Sequence, residues 1–237
     1  MTQLYSKLAG IYHEMYQHIF NYDDEFNFYD TVMKKYDCHK ILEIGCGSGM
    51  LARHLLNNDY EYMGLDLSDE MLEIARTEIN TGKFVQGDMR TLPFINQFDC
   101  TLITGRSISY IIKNHEIIDT LTGIHRALKD KGLLVFDLFE AFGIFENLKD
   151  FKQDIWNKGK RIQRISKLER NLRTGWTWDW KAKYIIEDKG KISEYEDLTT
   201  LRAFTKDEIL LFLKLTKFEI LDIIEETKAM NIVARKI

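Results

Sequence analysis

The chain has 237 residues, 45% of them apolar, and its 33 lysines and arginines against 37 aspartates and glutamates leave a net charge of −4. That length suits one domain with an insertion, or one and a half domains, with enough apolar residues for a sizeable core. The acidic balance gives no support to a phosphate-binding surface, so nucleic acid is not the leading partner. No apolar run approaches a membrane span, and no signal peptide precedes the first polar helix. Cys38, Cys46 and Cys100 lie in or beside predicted strands without paired or zinc-like spacing. Buried free thiols in a reducing cytoplasm, and no metal, are expected.

Leu4, Leu8, Ile11, Met15 and Ile19 recur at helical spacing, and so do Phe26, Tyr29, Val32, Met33 and Tyr36, which predicts two helices over residues 1–36. Ile41-Leu42-Glu43-Ile44 then leads into Gly45-Cys46-Gly47-Ser48-Gly49 and a second helical pattern from Met50. That order is strand, tight turn, helix. Glycines there allow positive φ and let a ligand approach the backbone, and the unpaired amides of the following helix favour an electron-rich group. The next strand, Tyr62 to Leu67, carries Asp66, 17 residues after Gly49, where a carboxylate can accept hydrogen bonds from both hydroxyls of a ribose. Ser68 reads as an N-cap with acids in the first turn, opening a helix from Met71 to Ile79. Phe84 to Met89 is a third short strand, ending in Gly87-Asp88. The alternation predicts a parallel, doubly wound sheet.

The glycines fall as G-x-G-x-G behind the acid Glu43, not as the G-x-G-x-x-G of dinucleotide binders. Glu43, Gly45, Gly47 and Gly49 resemble in full motif I of the class I S-adenosylmethionine-dependent methyltransferases, (E/D)-x-G-x-G-x-G. The opening Leu4 to Tyr12 is similar to the Y-x-x-x-A-x-x-Y-D start of small-molecule methyltransferases, which folds over the cofactor as a lid; His13 stands in place of the Asp. Ser107-Ile108-Ser109-Tyr110 resembles a loop of sugar-amine N-methyltransferases. Arg202-Ala203-Phe204-Thr205-Lys206-Asp207-Glu208-Ile209 resembles their R-x-F/Y-T-x-x-E-(I/L) junction, with Thr205 and Glu208 set as a capping box. The resemblance implies an α/β, Rossmann-like seven-stranded sheet of order 3-2-1-4-5-7-6 with the last strand antiparallel. It also implies a cofactor site made of Tyr5, Tyr12, Glu43, Gly45, Cys46, Gly47, Gly49, Asp66, Leu67, Met71, Gly87, Asp88, Met89, Gly105 and Arg106, in which Asp88 accepts from the adenine amino group.

The fourth strand, Phe98 to Ile103, lacks the (D/N)-P-P-(Y/F) sequence of DNA-base methylation. A helix from Glu116 to Leu128 precedes Lys131-Gly132 and the apolar strand Leu133 to Asp137. Between residues 150 and 204 the pattern changes to period two over Arg161 to Arg170, Trp176 to Ile186 and Ile192 to Phe204, with hairpin turns at Asn171 to Gly175 and Glu187 to Gly190. A three- or four-stranded antiparallel insertion is expected. It would place Trp176, Trp178, Trp180, Ala182 and Tyr184 on one face, most of them packing and one or two touching substrate. Two strands, Phe218 to Ile224 and Met230 to Lys236, complete the sheet, with Lys217 where the resembled family has Gly.

The organisation expected is a lid over 1–36, a cofactor domain over 37–149 and 205–237, and a roofing insertion over 150–204. Candidates for a general base are Tyr12, His13, Tyr110, Asp137 and Glu140. None dominates, which favours an amine acceptor over one that must lose a proton in the transition state. A cytoplasmic enzyme, monomer or homodimer, methylating a small molecule with S-adenosylmethionine is the reading. A protein or RNA methyltransferase and a non-catalytic cofactor-binding subunit are the alternatives, and a dehydrogenase is disfavoured by the glycine spacing.

Overall fold

The computed structural model describes residues 2–237. A short 3₁₀ turn, Gln3–Tyr5, precedes helices α1 (Ala9–Ile19) and α2 (Tyr22–Lys35). The helical spacing that starts at Leu4 is broken before Ala9 for a tertiary reason. The Tyr5 carbonyl, which a continuous helix would pair with the Ala9 amide, instead accepts from the Ser68 hydroxyl, and the Gln3 amide is anchored on Asp197 Oδ1 at 2.6 Å.

Strands β1 (Lys40–Ile44), β2 (Glu61–Asp66) and β3 (Lys83–Gln86) alternate with helices α3 (Met50–Asn57) and α4 (Asp69–Glu78). β4 (Phe98–Ile103), α5 (Asn114–Ala127), β5 (Leu128–Phe139) and the short α6 (Ala141–Glu146) follow. Four long strands come next: β6 (Phe151–Asn157), β7 (Lys160–Arg170), β8 (Thr177–Asp188) and β9 (Lys191–Arg202). The chain closes with α7 (Lys206–Leu215), β10 (Phe218–Glu225) and β11 (Ala229–Lys236).

The main sheet has seven strands in the order β10-β11-β5-β4-β1-β2-β3, which is the expected 3-2-1-4-5-7-6 in reverse. β1 pairs in parallel with β2 and β4, and β11 runs antiparallel to both β5 and β10. Its two faces bury separate cores. One is closed by α5 and α7 through Ile117, Leu121, Ile124, Ile209 and Leu213; the other by α2, α3 and α4 through Phe26, Tyr29, Leu51, Leu55 and Leu72. Cys38, Cys46 and Cys100 are free and buried, as expected. Lys217 takes φ +62°, a left-handed conformation that explains why a glycine suits this turn.

The second sheet is antiparallel, β6-β7-β8-β9; β6 is the strand left unplaced by the periodicity. On β8 the expected face is observed from Trp178 onward, with Trp178, Ala182, Tyr184 and Ile186 buried. Trp176 lies just before the strand and packs instead against Phe142 and Phe145. The sheet's inner face meets the N-terminal segment through Leu4, Leu8, Met15, Ile162, Ala182 and Tyr184. α1 therefore packs against the second sheet.

Candidate active site

The Gly-rich turn joins β1 to α3 beyond the carboxyl end of the main sheet, where open α/β sheets bind ligands. Gly45, Gly47 and Gly49 all have positive φ, at +75°, +52° and +77°. A side chain at Gly45 would collide with Ser107, whereas one at Gly47 would meet only the tip of Met71 at 3.2 Å. Gly49 faces away from the site: a Cβ there would lie 2.8 Å from Ile79 Cδ1, so this glycine serves close helix packing.

Asp66 ends β2 beside that turn. Its Oδ2 accepts from the Gly47 amide at 2.8 Å and its Oδ1 from the Ser68 amide at 2.9 Å. Burial pushes its pKa up, against those amides, which lower it. Each oxygen keeps a further lone pair for a ligand hydroxyl. Asp88 accepts the Arg90 amide at 2.9 Å and pairs with the Arg90 guanidinium, which holds its carboxyl below the usual range and keeps it an ionised acceptor.

Two cavities of about 440 Å³ each meet at this turn, within the usual size of small-molecule sites. Gly45, Gly47, Thr104, Gly105, Tyr5, Tyr12 and Tyr110 border both. One cavity adds Asp66, Leu67, Met71, Asp88, Met89 and, from β9, Leu198 to Thr200. The other cavity lies under the second sheet, lined by Tyr16, Phe139, Arg164, Trp178 and Trp180 together with Glu25, Glu43, Cys46, Arg106 and Asp137. The two are divided by an aromatic partition. Tyr5 packs edge-on against Tyr12 and Tyr110 at 5.1 and 5.6 Å, and the Tyr5 and Tyr110 hydroxyls share a 2.5 Å hydrogen bond.

Three carboxylates converge on the cavity under the second sheet. Glu43 is 1% exposed; Tyr62 and Thr104 donate to it at 2.6 and 2.9 Å, yet burial still pushes its pKa up to about 7. Glu25, on α2, is pushed up to about 8, by burial first and then by Asp137 and Glu43. Asp137 is raised by burial and countered by Arg106, whose amide donates to it at 2.8 Å and whose Nε lies 3.7 Å away.

Of the expected site residues, all but His13, Gly49, Gly87 and Glu140 line one or both cavities. His13 is instead a latch: its Nδ1 lies 2.8 Å from Ser48 Oγ and its Nε2 2.6 Å from the Gln17 amide. Gly87 backs onto Leu65. Glu140 caps α6 by accepting from the amides of Phe142 and Gly143. The tyrosines are poor bases, because burial raises the phenols of Tyr5, Tyr12 and Tyr110. Glu25 and Arg164 escaped the sequence reading. Glu25 sits among the acids of a helix start. Arg164 leaves a signal, since it shares the inward register of β7 with Ile162, Ser166 and Leu168.

Comparison with known proteins agrees with this geometry. Residues 41–132 match the methyltransferase domain family. YqeM of Bacillus subtilis, classed among methyltransferases, is 31% identical over 151 residues, 62% of this chain and 60% of its own. The dTDP-3-amino-3,4,6-trideoxy-alpha-D-glucopyranose N,N-dimethyltransferase of Streptomyces venezuelae is 21% identical over 173 residues, 73% of this chain and 72% of its own. Among solved structures, Streptomyces venezuelae DesVI superposes with a TM-score of 0.85 at 19% identity, covering 97% of this chain and 98% of its own. CalS10, an amino pentose methyltransferase of Micromonospora echinaspora solved with S-adenosylmethionine, gives 0.82 at 20%, covering 96% and 97%. Residues 41–132 thus carry a methyltransferase domain, on the fold of the S-adenosylmethionine-dependent methyltransferases. The chain spans 60% and 52% of the length of the first curated relatives it matches.

Proposed function

We propose that this protein is a methyltransferase that uses S-adenosylmethionine to methylate a small-molecule acceptor at an amine nitrogen. The observation that carries the reading is the pair of cavities joined at Gly45, Gly47 and Gly105. In this reading Asp66 holds the ribose, Asp88 accepts from the adenine amino group, and Leu67, Met71 and Met89 give the base apolar contact. Residues 1–36 form a lid, 37–149 and 205–237 the cofactor domain, and 150–204 a roof over the acceptor.

S-adenosylmethionine, when bound, supplies an electrophilic methyl carbon that a lone pair attacks in line, the electrons of the broken carbon–sulfur bond passing to sulfur. The chain's contribution is alignment, worth roughly 7 to 11 kcal/mol where two groups are held in reacting geometry. An amine must be neutral to attack, and Glu25, pushed up to about 8, can receive a proton as pH rises toward that value and it ionises. The roof, closed by Trp178 and Trp180 over the acceptor side, favours small acceptors over protein or RNA.

Calorimetric titration with S-adenosylhomocysteine, with NADH as the control, tests the cofactor, and a screen of small amines then tests the acceptor. Micromolar binding of the first ligand alone is expected. Binding of NADH, or of neither, overturns the assignment. Cofactor binding with no turnover on any amine would leave the non-catalytic subunit.

A further inference from the structure

Two arginines of this chain are almost fully buried, and only one of them has its charge answered. Arg202, 1% exposed, pairs with Glu208 and also donates to Asn114 Oδ1 and the Ile112 carbonyl. Glu208 is thereby drawn away from the reciprocal half of its capping box. Arg164, 4% exposed, lines the acceptor-side cavity and has no carboxylate within ion-pair distance among the described residues. It donates to the Tyr16 hydroxyl at 3.3 Å and to Gln153 Oε1, while its Nε has no partner. The rings of Trp180, Phe151 and Tyr16 surround the guanidinium at 5.2, 5.5 and 5.9 Å. Asp197, which borders a small void with Arg164, spends an oxygen on the Gln3 amide.

A buried cation without a counter-charge is costly, and rings offset only part of that cost. The site is therefore completed by an anion that arrives with a ligand. We propose that the acceptor carries a carboxylate as well as its amine, and that Arg164 binds this carboxylate beneath the roof. The inference rests on the methyl-transfer reading and narrows its substrate class to amino acids and carboxylated amines. A carboxylate fits because one planar fork balances one charge with two parallel hydrogen bonds. A phosphate or diphosphate would bring further charge into an aromatic box with no second buried cation to meet it. Lys149 and Lys228 stand exposed at the cavity rim, and Arg106 is engaged by Asp137.

The test uses the full chain saturated with S-adenosylhomocysteine. Benzoate, acetate and inorganic phosphate are titrated at constant ionic strength, with binding read from tryptophan fluorescence. Benzoate should saturate, phosphate should bind at least tenfold more weakly, and Arg164→Gln should lose at least tenfold in benzoate affinity while keeping its affinity for S-adenosylhomocysteine. Absence of saturable carboxylate binding, tighter binding of phosphate, or an unchanged Arg164→Gln affinity overturns the proposal. Should the Gln variant fail to fold, Arg164→Lys, which keeps the charge and loses the fork, carries the same comparison. In the acceptor screen amino acids should be methylated in preference to their amides, and the reverse preference overturns the assignment. Failure of S-adenosylhomocysteine to bind at all defeats the methyl-transfer reading instead, so the two failures are distinguishable.

Discussion

Asp66 shows how much one side chain can be asked to do. Its two oxygens already order the Gly-rich turn and the start of α4 through the amides of Gly47 and Ser68, so it is fixed before any ligand arrives. Asp66→Ala should weaken S-adenosylhomocysteine by roughly 1 to 3 kcal/mol, the usual cost of losing hydrogen bonds to a charged group; unchanged affinity in calorimetry would remove the ribose role. Glu25 and Glu43 make a second, pH-dependent prediction. Both are raised in the folded chain, to about 8 and about 7 from 4.5, so the fold favours their neutral forms. That contribution is fully present below about pH 4.5 and is lost as pH rises through 7 and 8. The melting temperature of the ligand-free protein should therefore fall between about pH 4.5 and 8, and Glu25→Gln should flatten the fall. A flat or rising wild-type profile would show that these acids ionise normally.

At the scale of elements, the β8 aromatic face divides its labour. Trp178 is 2% exposed and stacks edge-on with Phe139 and Phe145 at 5.2 and 6.2 Å, so it borders the cavity and also belongs to the core around α6. Trp178→Ala should lower stability by about 3 to 5 kcal/mol, as large-to-small core changes do, read from denaturant unfolding. Trp180 is half-buried and held by a 3.0 Å bond from its indole nitrogen to Ser166. Trp180→Ala should raise the acceptor KM while leaving cofactor affinity near wild type. If the order is reversed, with Trp180 the residue that stability depends on, the roof lies elsewhere on the sheet.

At the scale of the whole molecule α1 bridges the Gly-rich turn and the second sheet. His13 reaches Ser48 in the Gly-rich turn, and Glu14 reaches Lys160 and Asn157 on the second sheet at 2.6 and 3.0 Å. Apolar packing of Met15 and its neighbours also ties α1 to the second sheet, so opening of a lid here would be a local unfolding event. Amide exchange over residues 2–20 should slow when S-adenosylhomocysteine binds, and His13→Ala should speed exchange there in the free protein without altering β1 and β4. Exchange in α1 as slow as in those central strands would rule out a lid that opens.

Much of this architecture was legible in the chain because it rests on local patterns. Strand–turn–helix alternation and the period-two block after residue 150 follow from spacing, the strand order was implied by the family resemblance, and the two sheets bear both out. Neighbours distant in sequence decided the rest. The first helix starts only at Ala9 because Ser68 takes the Tyr5 carbonyl. His13, a base on paper, becomes a latch because Ser48 lies beside it, and Gly49 turns to the core because α4 packs there. Arg164 and Glu25 read as ordinary surface charges until the second sheet and α2 close over one cavity. Periodicity specifies which face a residue takes on its own element; what that face meets, and so whether a charge is answered by protein or by ligand, is set only when the elements pack.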